Sequence, residues 1–324
     1  MNANTSVPFA STTPLVSSPA LFPSLPPPTD AVRQVEGTLE QIDQLWADLD
    51  RGEFQIDLST NATSPANAGA ATISSPVGES GNRAKPTHDL RNPQVTVVIP
   101  VYNERETILQ VIESVRRVPG VTEVIVVDDC STDGTRGWLE TIRDTPGLKL
   151  VFQPRNGGKG AALRAGFAAA TGEIVIVQDA DLEYDPRDIP AVIEPILAGH
   201  ADIAYGSRYL RQSREGRPAG DGSSVHRFGN WLLTTLSNCT TGLKLTDMET
   251  CYKAFRRNVL RELELKQNRF GFEPEITAKI ARRRLRVKEV PIQYRPRGYA
   301  AGKKIGWRDL LSTLYCIARY GIAD

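Results

Sequence analysis

Glu173-Ile174-Val175-Ile176-Val177-Gln178-Asp179-Ala180-Asp181 sets a run of β-branched residues directly before two acids separated by one residue. An unbroken Ile/Val run suits a strand buried on both faces, since a half-exposed strand would alternate apolar and polar residues. Working outward, similar short runs occur at Val95–Ile99, Glu123–Val127, Leu148–Phe152 and Asp202–Tyr205, with helix-length intervals at about 104–118, 134–145, 158–171 and 188–199. Buried strands alternating with helices predict an α/β fold on a parallel sheet. Such sheets bind ligands beyond the carboxyl ends of their strands, so the residues after each run are the candidates for chemistry.

Those residues are polar, charged or glycine at each position. The first run leads into Pro100-Val101-Tyr102-Asn103-Glu104, the second into Asp128-Asp129 and Ser131-Thr132-Asp133-Gly134, and the third into Asn156-Gly157-Gly158-Lys159-Gly160. Helix caps and tight turns account for Asn103, Ser131–Gly134 or Gly157-Gly158 taken singly, but not for acid pairs at two strand ends. Asp179 and Asp181 project to one side of an extended chain, and crowding two carboxylates is costly unless a cation neutralises them. Hard oxygen donors suit Mg²⁺ or Mn²⁺, with Glu183 continuing the alternation as a third ligand. The Gly157–Gly160 loop, with Lys159, suits a diphosphate at a helix N-terminus. It lacks GxxxxGK[ST] and GxGxxG, which disfavours an ATPase or a dinucleotide-dependent dehydrogenase.

The 324 residues suffice for one large domain or two modest ones, and the formal charge of +1 excludes a strongly charged tail protein. That total is unevenly spread, at −5 over residues 1–92, −7 over 93–202 and +13 over 203–324. An acidic middle and a basic final third suggest two chemically different ligands on one scaffold. Residues 1–33, rich in Pro, Ser and Thr, read as disordered. Val35, Leu39, Ile42, Leu45, Trp46 and Leu49 predict an amphipathic helix in a 34–57 segment, and 58–92 reads as a linker ahead of a 93–324 domain. Cys130, Cys239, Cys251 and Cys316 form no CxxC pair, the N-terminus lacks a signal-peptide pattern, and no apolar run is long enough to span a bilayer. The expectation is a reduced, cytoplasmic chain, not secreted.

The series Pro100, Asn103-Glu104, Asp128-Asp129, Ser131, Asp133-Gly134, Gly158-Lys159-Gly160 and Asp179-Ala180-Asp181 resembles the family 2 glycosyltransferases of GT-A fold. More narrowly, it resembles the dolichyl- and polyprenyl-phosphate mannosyltransferases, from about Gln94 to Tyr320. The resemblance implies a Rossmann-like mixed sheet and an inverting transfer of mannose from GDP-mannose to a polyprenyl or dolichyl phosphate. A UDP-sugar such as UDP-glucose is the alternative donor. It further implies that Pro100, Tyr102, Glu104 and Asp128 hold the nucleoside and that Asp179 and Asp181 coordinate the metal on the diphosphate. Asp129, Lys159 and Ala180 complete the candidate donor site.

In the basic third, the resemblance assigns the acceptor phosphate to Arg208, within Gly206-Ser207-Arg208-Tyr209, and to Arg227 after a loop at about 210–226, with Lys253 as a further contact. Arg suits this role because its planar fork engages phosphate oxygens in pairs. Asp247 and Glu249 stand where family 2 enzymes acting on hydroxyls carry a general base. A phosphate monoester is largely ionised already, its second pKa being about 6, so these acids act either as base or as orienting groups. His226 reads as a loop histidine. Trp307, Leu310, Leu311, Leu314, Tyr315 and Ile317 line a terminal helix that either packs on the core or lies on an anionic bilayer beside Arg295, Arg297, Lys303 and Lys304. A nucleic-acid binder using the basic third, or a non-catalytic partner-binding module, leaves the strand-end acids unexplained; the chain also lacks an aromatic RNA-binding motif and zinc-finger spacing.

Overall fold

The computed structural model describes residues 93–210, 224–297 and 307–322. The expected segments at 1–33, 34–57 and 58–92 lie outside these, as do Lys303, Lys304 and most of the 210–226 loop.

Seven strands form one sheet: β1 (Val95–Val101), β2 (Val121–Asp128), β3 (Leu148–Phe152), β4 (Ile174–Val177), β5 (Ile203–Ser207), β6 (Lys253–Arg256) and β7 (Val287–Pro291), in the spatial order β3-β2-β1-β4-β6-β5-β7. Val95, Val97, Val98 and Ile99 of β1 are wholly buried, as the unbroken apolar run requires of a central strand covered on both faces. β1 to β4 pair in parallel, β6 runs antiparallel to both β4 and β5, and β5 pairs in parallel with β7. One reversed strand therefore makes the sheet mixed.

Helices α1 (Ile108–Arg116), α2 (Thr135–Thr141), α3 (Lys159–Ala169) and α4 (Ile189–Leu197) fill the first four intervals. Each is shorter than its interval because loop residues after the strands are given over to the site. α3 rests directly on the sheet at Gly166, where a Cβ would collide with Val98 and Val127. Beyond β5 come α5 (Ser224–Thr241), the short α6 (Arg257–Arg261), α7 (Phe272–Arg282) and α8 (Trp307–Ile322). His226, expected in a loop, lies in the first turn of α5. α8 buries Cys316, Ile317 and Tyr320 against the core while leaving Leu310, Leu311 and Ile322 exposed. No helix among the described residues is long and apolar enough to cross a membrane.

β1 lies between two groups of strands, with β2 and β3 on one side and β4 on the other, so the sheet's switch point falls between β1 and β4. Pairing of β1 with β4 ends at Val98↔Val177, before Pro100. The two chains part there and open the crevice in which a doubly wound sheet binds its ligand.

Candidate functional site

Three loops meet at this crevice, and each contains a non-glycine residue in left-handed backbone: Asn103 after β1 (φ 57°), Cys130 after β2 (φ 63°) and Leu182 after β4 (φ 62°). Such strain persists only where the surroundings hold it, and here the loops hold one another. Asn103 N–H donates to Ser131 Oγ (3.0 Å), Thr132 N–H to Asn103 Oδ1 (2.8 Å), and Arg105 N–H to Asp133 Oδ2 (3.1 Å). Burial acts to raise the Asp133 carboxyl, but bonds from Thr135 and Arg105 outweigh it and hold the pKa below the usual range. Tyr102 stands at the rim, 46% exposed.

Asp128 and Asp129 have separate tasks. Asp128 is fully buried, accepting from Arg136 Nε at 2.7 Å and from Ser131 N–H at 3.2 Å. Asp129 accepts the N–H groups of Gly157 (2.8 Å) and Gly158 (2.7 Å), tying the loop after β3 to the end of β2. Burial raises its pKa against these two bonds. Gly158 has φ 86°, and a Cβ there would meet Arg269 Cγ and Asn268 O at 2.7 Å. The loop therefore needs glycine for both its backbone and its packing, and it delivers Lys159 to the crevice.

At the end of β4, Lys159 Nζ lies 2.9 Å from Asp179 and 3.8 Å from Glu273. Burial lowers the lysine pKa, but the charges of Asp179 and Glu273 carry it well above its ordinary value. Arg297 lies on the chain beyond β7, which pairs with the β4 loop through the Tyr184↔Tyr294 bridge and Arg295 N–H to Glu183 O (2.9 Å). Its guanidinium binds Glu104 at 2.9 and 2.7 Å and Asp181 at 3.1 Å. The acids after β1 and β4 are thus balanced by Lys159 and Arg297. Asp179 is half-buried and Asp181 buried, and cations that can move onto a diphosphate balance them, so their oxygen donors fit Mg²⁺ or Mn²⁺ arriving with that diphosphate. Ala180, between them, is buried.

Glu183, expected as a third metal ligand, lies 4.0 Å from the same Arg297 guanidinium and is buried. Its carboxylate accepts from Tyr294 O–H at 2.6 Å and from Arg297 N–H at 3.1 Å, and serves to anchor the returning chain. No cluster of three acid, His or Cys side chains suited to a metal occurs among the described residues.

The basic residues separate in the same way. Arg208, just after β5, forms a fork with Asp247, Nε to Oδ2 and Nη2 to Oδ1 at 2.7 Å each, and Asp247 also accepts the Arg208 N–H at 3.1 Å. Burial lowers the guanidinium pKa, but the charge and hydrogen bond of Asp247, with Tyr184 and Tyr209, together carry it above its ordinary value. Asp247 is itself fully buried and committed to Arg208, which is the geometry of an orienting group. Glu249 differs: its Oε1 is buried with no hydrogen-bond partner in the structure, and burial, then the charge of Glu273, pushes its pKa up to about 7. Arg227 is exposed on α5. Lys253, expected at the acceptor phosphate, is sealed inside β6, where it pairs with Glu273, donates to Thr250 O and lies 5.0 Å from the Tyr205 ring centre. An interior ammonium with these partners has no path to a ligand.

Glu273, Tyr294 and Arg297 are the site residues that reading the motifs one by one missed. Tyr294 is central: its hydroxyl binds Glu183, and the Arg208 guanidinium lies 5.2 Å from its ring centre. The signal available in the sequence was Tyr294, Arg295 and Arg297 in the segment following a strand, the position at which the other loops carry their chemistry.

A family model described as "Glycosyl transferase family 2" matches residues 96–264, which spans β1 to α6. Among curated proteins, the chain is 29% identical to undecaprenyl-phosphate mannosyltransferase of Micrococcus luteus, over 71% of this chain and 95% of that protein. It is 28% identical to polyprenol monophosphomannose synthase of Mycolicibacterium smegmatis, over 76% and 91%. Dodecaprenyl-phosphate galacturonate synthase of Rhizobium johnstonii is 28% identical over 65% of this chain, but the match spans only 61% of that longer protein. Among solved structures, glucosyl-3-phosphoglycerate synthase of Mycobacterium tuberculosis with phosphoglyceric acid superposes with a TM-score of 0.55 at 23% identity, over 74% of this chain and 87% of that one. The mixed sheet is the GT-A fold, and the chain belongs to glycosyl transferase family 2 and is a glycosyltransferase.

Proposed function

We propose that this glycosyltransferase moves mannose from GDP-mannose to a polyprenyl phosphate, with inversion at the anomeric carbon. The observation that carries this reading is the single tyrosine between two charged sites. Tyr294 donates to Glu183 on the donor side while Arg208 lies over its ring, 5.2 Å from the centre, on the other. This supports a reading in which a nucleotide diphosphate and an anionic acceptor would lie within one side chain of each other, as a direct displacement requires.

Tyr102, Pro100 and Glu104 would receive the nucleoside at the rim of β1. Asp179 and Asp181 would hold Mg²⁺ or Mn²⁺, which when bound supplies charge neutralisation on the departing diphosphate. Lys159 and Arg297 would turn from these acids to the diphosphate oxygens. Arg208, held by Asp247, and Arg227 would orient the acceptor phosphate so that one oxygen attacks the anomeric carbon opposite the nucleotide. That oxygen is already ionised near neutral pH, so the transfer needs no proton removed from it. Glu249 then shapes the field around Arg208 rather than acting as a base. The enzyme would work at the cytoplasmic face of a membrane, as a peripheral protein.

The names of the M. luteus and M. smegmatis relatives support mannose and a polyprenyl acceptor. The galacturonate and 4-deoxy-4-formamido-L-arabinose transferases among the relatives keep a different sugar, carried on UDP or another nucleotide, as the second reading. Incubation with radiolabelled sugar nucleotides, Mg²⁺ or Mn²⁺, and polyprenyl phosphate, followed by organic extraction, tests both. Label in the lipid phase from GDP-mannose supports the first; label from another donor alone replaces it.

A further inference from the structure

Lys253 has no path to a ligand, yet its ammonium sits in the interior of the sheet, 1% exposed. A buried charge is costly unless it is paired, so the partner it fixes is informative. That partner is Glu273 Oε2, in the first turn of α7, and the lysine is itself held by Thr250 O. Glu273 is buried as well, and its place at a helix N-terminus favours its negative charge. Its other oxygen, Oε1, lies 3.8 Å from Lys159 Nζ. One carboxylate thus spans two lysines, Lys253 in the interior and Lys159 at the crevice.

Packing sets the spacing of the two helices that carry this contact. Lys159 opens α3 and Glu273 lies near the start of α7, and the rings of Phe167 and Phe272 join these helices with 6.1 Å between centres. The chain before α7 closes on the first turns of α3: Ala161 N–H donates to Asn268 O at 3.0 Å, and Arg164 Nη1 to Lys266 O at 3.2 Å. At Gly160 a Cβ would collide with Gln267 O, so the two segments meet backbone to backbone.

Lys159 has a nearer partner in Asp179, at 2.9 Å, and Asp179 is a candidate metal ligand. A divalent cation bound there takes that partner away and repels the ammonium beside it. A lysine held by Asp179 alone would swing into solvent as the metal arrives, because its stem is flexible. Glu273 stays with it. We propose that Glu273 is a positioning residue for Lys159: anchored by Lys253, it retains the ammonium at the crevice once the metal has taken Asp179, so that the lysine meets the diphosphate. The assignment rests on the reading of the crevice as a metal and nucleotide-diphosphate site, and it gives the interior lysine a task in donor binding.

Calorimetry of the full chain with Mn²⁺ and GDP, and with Mn²⁺ and UDP, tests it as a double-mutant cycle. Lys159→Met and Glu273→Gln should each weaken the nucleotide about tenfold, the loss of one charge-assisted bond. The double variant should lose no more than Lys159→Met alone, because Glu273 acts through the lysine. Losses that multiply, or either single variant binding as the wild type does, overturn the assignment. Glu273→Gln also strands the Lys253 ammonium, so Lys253→Met combined with Glu273→Gln is the control for folding, and it takes the place of Glu273→Gln in the cycle if that variant alone does not fold. Thermal stability of the combined variant should recover toward the wild type while nucleotide affinity stays about tenfold down. Recovery of both shows a structural role only and overturns the assignment. In transfer assays, Glu273→Gln should raise KM for the sugar nucleotide and leave KM for the lipid phosphate unchanged; equal rises in both overturn it. If the wild type binds nucleotide and transfers sugar but the cycle is additive, this assignment falls and the proposed function stands. If the wild type binds neither nucleotide with Mn²⁺, the reading of the crevice fails and the assignment with it.

Discussion

Arg297 lies 3.1 Å from Asp181 and holds Glu104 with two further bonds, so one guanidinium joins the acid after β1 to the acid after β4. An incoming metal competes with this arginine, whereas a diphosphate can accept it. Metal and nucleotide should therefore bind with positive coupling. Calorimetry should show weak Mn²⁺ binding to the wild type alone and much tighter binding once a nucleoside diphosphate is present. Arg297→Ala should bind Mn²⁺ alone more tightly than the wild type, and bind the nucleoside diphosphate about tenfold or more weakly through loss of charge-assisted bonds. Tight metal binding to the wild type without nucleotide would falsify the coupling.

Asp181→Ala and Asp179→Ala are expected to abolish transfer without unfolding the domain. The side chains follow the end of β4 and are not part of the apolar core, although Asp181 is buried, and Arg297 keeps Glu104 in either variant. Unchanged thermal unfolding together with loss of activity is the expected pair of results, and chelation by EDTA should reproduce the loss in the wild type, with recovery on addition of Mn²⁺ or Mg²⁺. Full activity in EDTA would remove the metal from the reaction.

The Arg208–Asp247 fork predicts an asymmetry between its members. Asp247→Asn leaves a buried guanidinium without its counter-charge and should lower stability by about 3 kcal/mol, as breaking one side of a buried ion pair does. Arg208→Lys keeps the charge but cannot reproduce the two parallel bonds, so KM for the lipid phosphate should rise while donor binding is unchanged. Denaturant midpoints and separate titrations of the two substrates distinguish the variants. Equal effects on donor and acceptor would argue against an acceptor role.

Glu249 gives a pH signature. Its folded-state pKa is raised to about 7 from the ordinary value of 4.5, chiefly by burial. The folded protein therefore holds a proton that the unfolded chain has lost between those values. This contribution to stability is complete below about pH 4.5 and is lost as pH rises through about 7. Glu249→Gln, which keeps the neutral shape, should flatten that part of the pH profile and raise the melting temperature at pH 8 relative to the wild type. Parallel profiles for the two proteins would show that Glu249 does not titrate there.

Gly158→Ala tests the loop that presents Lys159. Its left-handed backbone and its contact with Asn268 and Arg269 leave no room for a methyl group. The expected cost is about 1–3 kcal/mol, typical of overpacking, with weaker nucleotide binding as Lys159 is displaced. A stable variant with normal nucleotide affinity would show that the loop adapts.

The first four strands and the acids after them were legible because the information is local. An Ile/Val run reports burial on both faces, and the residues after it face the crevice. Beyond β5 the relation breaks down. Lys253-Ala254-Phe255-Arg256 is too short and too charged to announce a central strand, and its lysine is tolerated only because Glu273, far along the chain, lies opposite. α5 carries Gly229 and several β-branched threonines, which blur its helical period. The ion pairs of Arg297 with Asp181 and of Arg208 with Asp247 join residues from distant segments, and a single sequence has no term that links them. For Glu183 the spacing suits a metal ligand, but it does not show that a tyrosine and a backbone N–H of the returning chain also bind this carboxylate.

The reversed strand β6 has a consequence for how the enzyme can change. It hydrogen-bonds to β4, whose end carries the donor acids, and to β5, whose end carries Arg208. In the proposed function the two substrates would therefore lie against one continuously hydrogen-bonded sheet. On the proposed function, the spacing between donor and acceptor would follow from the sheet, and a change of sugar or acceptor would fall to the loops at its edge.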